Sequence, residues 1–412
     1  MQGVSRFALL RQRDLRYVVG ASTVSLVGDG VVTVALAFAV LDLTDSATDL
    51  GIVFALRTLA QVAALLIGGV VADRVSRRAL MMGADIVRMC CQAGIGVLLL
   101  SGHATIAEVI VSQVFVGAAA GFFDPASGGL IPAVAGESLQ EANALQGLLG
   151  SAVGVIGPIV GGAVVVGVGS SWAMLIDAGS YLGSALLLAR VSRQAAAAVN
   201  RDGKKSTFFA DLHDGFREVT SRTWVWTVIL TFSVTNALAG TWSIFGPLVC
   251  RRDYGGAAAY ALLSALWGLG AMLGGFVLMR VKPRRPLRAG TLACLPWAIP
   301  MILLACGVPL AIVVPFQLVS GAGPIIFNTL WWTTLQQQVP PESISRVISY
   351  DFAGSFALSP IGQALAGPLA VAAGLSPAMI LCGGLALFVM VPNLLITDVR
   401  TLEAAAPDPM TA

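Results

Sequence analysis

Apolar runs of about 20 residues recur along this chain, and they limit the folds open to it more than any other feature. Only 11% of the residues are charged, too few for the surface of a soluble protein of 412 residues. Because lipid offers the backbone no hydrogen-bonding partner, such runs cross a bilayer as helices. The sequence therefore predicts an all-α membrane protein with twelve transmembrane helices, at residues 17–41, 48–72, 80–101, 104–124, 143–167, 171–190, 224–249, 257–280, 289–307, 309–335, 345–371 and 375–396.

The positive charges predict the orientation of these spans. When the spans are threaded in order, nearly all of the 25 Lys and Arg residues fall in loops on one side of the membrane. Only Arg251 and Arg252 fall on the other side, while Arg57 and Arg88 lie inside spans. Because basic loops stay in the cytoplasm, we expect the N- and C-termini to be cytoplasmic. The net charge of +3 then reflects topology, and no nucleic-acid partner is expected.

The chain reads as two halves of six spans each. A polar segment, 191–222, separates them, and within it "FFADLHDGFREVTS" is typical of an amphipathic helix on the membrane surface. Short matches recur at an offset of about half the chain, such as Glu137-Ser138-Leu139 and Glu342-Ser343-Ile344. We therefore expect an N-terminal six-helix bundle at 1–190, a cytoplasmic linker at 191–222, a C-terminal six-helix bundle at 223–400 and a disordered tail at 401–412.

Four charged residues lie close together between the second and third predicted spans: Asp73, Arg74, Arg77 and Arg78. An acid adds nothing to the positive-inside pattern, so Asp73 needs another explanation, whereas the arginines could serve that pattern alone. The stretch resembles the signature of the major facilitator superfamily, found in the same loop. The resemblance implies two six-helix bundles and a cytoplasmic gate formed by Gly69, Asp73, Arg74, Arg77 and Arg78.

A second motif lies in the fifth span, where small residues follow one helix face and a proline adds a bend. It resembles the antiporter motif of drug:proton exporters and consists of Gly154, Gly157, Pro158, Gly161 and Gly162. The stretch "GFFDPASGGLIP…LQEANALQ…IGPIVGG…MLIDAGSYL" is similar to the third drug:proton antiporter family, which includes macrolide-efflux and enterobactin-exporter-like proteins. That resemblance implies export of amphipathic compounds, drugs or secondary metabolites, driven by protons. General helix packing would explain the glycines alone.

Charged residues within spans are costly and mark functional positions. Asp29 shares one helix face with Ser25 and Thr33, and Arg57 lies at a similar depth with Gln61 one turn on. We predict that these five side chains line a central cavity for substrate and protons, and that Asp29 pairs with Arg57. A purely structural ion pair is the alternative. Near the cytoplasmic end, three further residues are predicted to extend the gate: Asp85, Arg88 and Asp124.

The second half contributes aromatic and polar side chains to the predicted cavity. All but one of the 8 tryptophans lie there, which suits a flat or hydrophobic ligand. The residues expected to line the cavity on this side are Asn328, Trp331, Trp332, Ser355 and Gln363.

Other classes of function lack support in the sequence. "NRDGKKST" has Ala198 where a phosphate loop needs its first glycine, and no nucleophile–base set is evident, so an enzyme is not expected. The 6 cysteines lack metal-ligand spacing, and no cofactor or metal is expected. We predict a monomeric, multi-pass protein of the cell membrane that exports amphipathic molecules by alternating access. An uptake transporter and a transport-inactive membrane sensor are the alternatives.

Overall fold

A computed structural model describes residues 12–192 and 216–403. Within these ranges the chain forms helices and no β-strand. The helices are α1 (Arg13–Thr44), α2 (Ala47–Arg74), α3 (Arg77–Ser101), α4 (Ile106–Ala135), α5 (Leu139–Val168), α6 (Ser170–Ala189), α7 (Thr223–Gly240), α8 (Trp242–Asp253), α9 (Ala257–Arg280), α10 (Pro286–Cys294), α11 (Ile299–Ala305), α12 (Leu310–Gln338), α13 (Pro341–Phe356), α14 (Ser359–Ala373), α15 (Leu375–Leu395) and α16 (Thr397–Thr401).

Twelve helical segments of the described chain are long and apolar enough to cross a membrane, which confirms the predicted spans. Three of the spans are not single helices. The seventh joins α7 to α8, the ninth joins α10 to α11 through a 3₁₀ turn at Leu295–Ala298, and the eleventh runs through the end of α13 into α14. Prolines at Pro296 and Pro360 lack a backbone N–H and lie at two of these breaks.

Polar caps fix where several spans begin. Ser46 accepts a hydrogen bond from the backbone of Asp49 at 3.1 Å, at the start of α2. Thr105 and Glu108 form a reciprocal capping box at the start of α4. These side chains satisfy N–H groups that a helix leaves unpaired in its first turn.

The described chain divides into two compact units. The first contains residues 12–192 with Cys250–Ala265, and the second contains residues 216–249 and 266–403. Most of the predicted amphipathic linker helix and of the predicted tail lies outside the described residues. The domain limits drawn from the sequence stay a prediction.

In the first unit, α1 is the most deeply buried span and packs against α5 and α6. The contact with α5 is between glycines, because a Cβ at Gly157 would lie 2.7 Å from the Cα of Gly30. The second and fourth spans, α2 and α4, also meet backbone to backbone. Gly117 faces the carbonyl of Arg57, too closely for any side chain at position 117.

The second unit repeats this contact between its own second and fourth spans. Gly321 of α12 faces the carbonyl of Trp267 in α9, and Gly270 of α9 faces the carbonyl of Leu318 in α12. Neither glycine has room for a Cβ. An aromatic cluster around Trp224, Phe327 and Trp331 forms part of the unit's core.

Candidate functional sites within the two units

Asp29 of α1 lies within a buried polar network of the first unit. Its carboxylate accepts a hydrogen bond from the hydroxyl of Tyr181 at 2.7 Å, and its other oxygen lies 4.0 Å from Nη1 of Arg88. Nη2 of Arg88 donates to Asp85 at 3.0 Å, and Ser184 donates to the second oxygen of Asp85 at 2.6 Å. Arg88 therefore links two carboxylates, and Asp29 is the more exposed of them, with 35% of its side chain accessible.

The guanidinium of Arg88 is enclosed by aromatic rings. Its central carbon lies 4.4 Å from the centroid of the Phe123 ring and 4.6 Å from that of Tyr181. Nε of Arg88 is buried and has no hydrogen-bond partner among the described residues. Ring faces attract a cation in a setting where water is excluded, so the charge is held between aromatic faces and carboxylates.

A second polar line runs beside this network. Nη1 of Arg57 donates to Gln113 at 3.1 Å, Gln113 donates to Gln92 at 3.1 Å, and Gln92 donates to Asp177 at 2.7 Å. Gly28 of α1 permits the line to end against that helix, because a Cβ there would meet Asp177 directly. Four side chains from α2, α3, α4 and α6 are thus joined across the interior of the unit.

The predicted pair of Asp29 with Arg57 is wrong. Arg88, predicted as part of the gate, is the ion partner of Asp29, and Arg57 bonds to an uncharged glutamine. Asp85 likewise joins the Asp29 network. The reason is the position of Arg88, 11 residues into α3, or about 16 Å along its axis, which is well inside the span.

Four residues of these two networks were not predicted from the sequence: Gln92, Gln113, Tyr181 and Ser184. Spacing gave a usable signal for three of them. Gln92 follows Asp85 and Arg88 on one face of α3, and Tyr181 and Ser184 follow Asp177 on one face of α6.

The other predicted residues of α1 do not form a uniform cavity wall. Ser25 is buried, and Thr33 is exposed and donates to the carbonyl of Asp29 at 2.7 Å. Asp124 of α4 is exposed and follows Phe123, whose ring covers Arg88. The main-chain carbonyl of Gln61 faces Gly121 in α4.

Two arginines of the predicted gate hold other helices of the first unit. Arg77 donates to the carbonyl of Gly129 in α4 at 2.8 Å. Arg78 donates to the carbonyls of Leu188 and Ala189 at 2.7 and 2.6 Å, at the end of α6. The last carbonyls of a helix are unpaired and carry its negative dipole end, so a cation is favourable there. The side chains of Asp73 and Arg74 lie outside the described part of the chain, and Gly69 lies within α2.

The glycines of the predicted antiporter motif differ in their surroundings. Gly157 meets Gly30, and Gly161 faces the carbonyl of Val31, so both permit close contact of α5 with α1. Pro158 is buried beside them. Gly162 faces Ala261, which belongs to the same unit, whereas Gly154 has open space around it.

In the second unit, a cavity of about 170 Å³ is lined by aromatic rings and a few polar groups. Asp351 of α13 is its acidic residue and is only 7% exposed. Nε1 of Trp331 donates to one oxygen of Asp351 at 3.0 Å, and Ser355 donates to the other at 3.1 Å. Asn328 and Trp332 also line this cavity, as do Thr235, Asn236, Phe352 and Phe356.

Gln363 is not among the residues that line this cavity. It is buried against Gly240, and its Oε1 has no hydrogen-bond partner among the described residues. Ser359, one turn earlier in α14, donates to the carbonyl of Asn236 at 3.2 Å.

Over most of its length the chain is similar in sequence to proteins named multidrug efflux pumps. The chain is 28% identical over 384 residues to a protein of Mycolicibacterium fortuitum named multidrug efflux pump Tap, covering 88% of this chain and 92% of the relative. It is 26% identical over 368 residues to the protein of that name in Mycobacterium tuberculosis strain ATCC 25618 / H37Rv, covering 86% of each.

Solved structures match at the level of the fold. A nucleoside transporter, NupG, superposes with a TM-score of 0.75 at 12% identity over 94% of this chain and 99% of its own. A bacterial homologue of the iron transporter ferroportin superposes with a TM-score of 0.68 at 14% identity, over 93% of this chain and 98% of its own. Residues 18–361 match the Major Facilitator Superfamily. With twelve spans and this match over most of its length, the chain belongs to the Major Facilitator Superfamily and is a multi-pass membrane transporter rather than an enzyme.

Proposed function

We propose that this transporter exports amphipathic small molecules, drugs or secondary metabolites, by alternating access in exchange for protons. The observation that carries the proposal is the cavity of the second unit, which combines apolar aromatic walls with a few hydrogen-bonding groups. Such a lining suits molecules with one apolar face and one polar group. The similarity to proteins named multidrug efflux pumps over most of the chain supports the outward direction.

Proton coupling is assigned to the Asp29 network. A proton on Asp29 removes its negative charge, and Arg88 is then attracted to Asp85 alone. Since Arg88 lies on α3 and Asp29 on α1, the proton changes the attraction between two helices of the first unit. Of the two carboxylates next to Arg88, Asp29 is the more accessible to solvent, which suits it to exchange a proton with water.

The gate is assigned to the loop between α2 and α3, with the basic loops and both termini in the cytoplasm. Arg77 and Arg78 hold the carbonyls of α4 and the end of α6. These contacts would keep three helices of the first unit together as one body during the transport cycle. Asp73 and Arg74 are proposed as the other members of this gate. We further propose a monomer as the transporting species.

The test is retention of ethidium, a lipophilic cation, in cells that make the wild type or Asp29→Asn, with and without a protonophore. We expect the wild type to lower the retained dye, the protonophore to abolish this effect, and Asp29→Asn to fail at an equal level in the membrane. Asp45→Asn is the matched control, since Asp45 is 85% exposed and its positive φ of 50° suits asparagine.

Each other outcome has a definite meaning. Export by Asp29→Asn at the wild-type rate would make Asp29 a structural partner of Arg88 and remove it from coupling. Protonophore-sensitive accumulation of dye would indicate uptake. Binding without any flux would indicate a sensor.

A further inference from the structure

We infer that Asp351 is the charge-selecting element of a binding subsite in the second unit, where it takes the positive group of an aromatic organic cation. This inference rests on the proposed function and narrows its substrate class. It concerns a cavity built wholly from residues of the second unit.

Within the described part of the chain, the carboxylate of Asp351 has no cationic partner. None of the ion pairs formed by the described residues includes Asp351, whereas Asp29 and Asp85 both have Arg88. Its two hydrogen bonds, from Trp331 and Ser355, use one acceptor position on each oxygen. A carboxylate has about four such positions, so both oxygens can accept again. A buried acid without a cation is costly, and a cationic ligand would compensate that cost.

The cavity wall next to Asp351 contains aromatic rings that remain partly exposed. Phe352 and Phe356 follow it on α13, with ring centroids 6.1 Å apart and planes inclined by 20°. Phe352 and Phe356 are 44% and 42% exposed, whereas Trp331 is 2% exposed and belongs to the core. Trp332 lies against Phe352, with centroids 5.7 Å apart. Exposed ring faces beside a carboxylate attract the edge or the charge of an aromatic cation.

A second polar group of the cavity also lacks a partner. The hydroxyl of Thr235 in α7 is buried and makes no hydrogen bond within the described chain, although Thr235 is only 5% exposed. Buried hydroxyls are nearly always paired, so this one is suited to a polar atom of a ligand. The amides of Asn236 and Asn328 line the same cavity, and Asn236 is already held by the carbonyl of Ser355 at 2.9 Å.

The ligand class follows from these groups. A single uncompensated carboxylate selects one positive charge and rejects anions. Exposed rings on one wall select an aromatic or other flat apolar portion. The hydroxyl of Thr235 adds a point for one hydrogen bond. The preferred ligands are therefore monovalent organic cations with at least one aromatic ring.

The experiment measures equilibrium binding of two ions of the same shape and opposite charge, tetraphenylphosphonium and tetraphenylborate. The full chain is placed in nanodiscs without any ion gradient, and empty nanodiscs supply the correction for partition into lipid. We expect the wild type to bind the phosphonium more tightly than the borate. Asp351→Asn should weaken phosphonium binding by at least about tenfold, because the Coulomb attraction between the carboxylate and a cation in the cavity is lost, and should not weaken borate binding.

Three further variants separate charge from structure. Asp351→Glu keeps the charge and should keep the preference for the cation. Ser355→Ala removes a donor to Asp351 but leaves the carboxylate, so it should weaken phosphonium binding less than Asp351→Asn does and should keep the preference for the cation. Glu218→Gln removes a carboxylate of the same unit that Arg222 already neutralises, and it should bind both ions as the wild type does.

The inference is overturned if Asp351→Asn binds tetraphenylphosphonium as tightly as the wild type, or if Asp351→Asn and Asp351→Glu lose it equally. This result is separable from failure of the proposed function. If the wild type binds with charge selectivity but exports no dye, the proposed function is refuted and the subsite is supported. If the wild type exports dye but binds both ions equally, only the subsite is refuted.

Discussion

The second and fourth spans meet in the same way in both units, but the side chains beside the contact differ. In the first unit the carbonyl of Arg57 faces Gly117, and in the second the carbonyl of Trp267 faces Gly321. The first unit surrounds this contact with acids, arginines and glutamines that are joined to one another. The cavity of the second unit has aromatic rings and Asp351, whose hydrogen-bond donors Trp331 and Ser355 are uncharged.

The two units share a backbone contact between helices, and they differ in their side chains. The glycine contact sets how closely two helices approach, and it is shared. The charges are not shared, so the two units meet the cost of buried polar groups differently. In the first unit Asp29 and Asp85 share Arg88, whereas in the second unit Asp351 is held by two uncharged donors, Trp331 and Ser355.

The largest expected effect comes from breaking the internal pairing of the first unit. Arg88→Ala leaves Asp85, which is fully buried, without its cation, and the free energy of unfolding should fall by about 3–5 kcal/mol. Thermal unfolding of the purified protein in detergent measures this loss. Arg57→Ala is the control, because its partner Gln113 is uncharged and about 1 kcal/mol is expected. Equal losses in the two variants would contradict the distinction between the two polar lines.

A smaller effect, similar in both units, should follow from filling the shared glycine contact. Gly117→Ala and Gly321→Ala each place a Cβ against a backbone carbonyl, so the helices must separate, at about 1–3 kcal/mol each. Thermal unfolding again gives the loss. Gly154→Ala and Gly384→Ala are matched controls, since nothing lies within 4 Å of the added Cβ, and they should be neutral or slightly stabilising. A large loss in one unit only would end the claim of a shared contact.

The smallest effect belongs to an exposed ion pair. Arg251 lies 3.1 Å from Asp42 and 3.6 Å from Asp45, and all three side chains are more than a third exposed. Arg251→Ala leaves no buried charge unpaired, so the free energy of unfolding should fall by only about 0.2–1 kcal/mol. The difference should shrink further in high salt, which screens exposed charges. A salt-independent loss as large as that of Arg88→Ala would remove burial as the explanation.

The fold could be predicted from the sequence because length and hydropathy nearly determine it. Each span needs about 20 apolar residues, and all twelve were found from that requirement alone. The breaks between α7 and α8 and between α13 and α14 were not predicted, since an interrupted span is as apolar as a continuous one.

The partners of the charges could not be predicted in the same way. Helical spacing identifies residues that share one face, such as Ser25 and Asp29, but not the helix that packs on that face. Tyr181, the hydrogen-bond donor to Asp29, is 152 residues away along the chain. The sequence places Arg57 at a membrane depth similar to that of Asp29. Because α2 packs on α4, however, the side chain of Arg57 bonds to Gln113 of α4.

The seam between α2 and α4 has a consequence beyond packing. Gly117 meets the carbonyl of Arg57, Gly121 meets that of Gln61, and a Cβ at Gly68 would lie 2.8 Å from the carbonyl oxygen of Gly121. Where a methyl group does not fit, neither does a file of water molecules. A transporter that works between two aqueous compartments wastes an ion gradient through any leak. By keeping α2 and α4 in close contact, these glycines exclude water and ions. Substitutions that separate the two helices should therefore raise the proton conductance of the membrane.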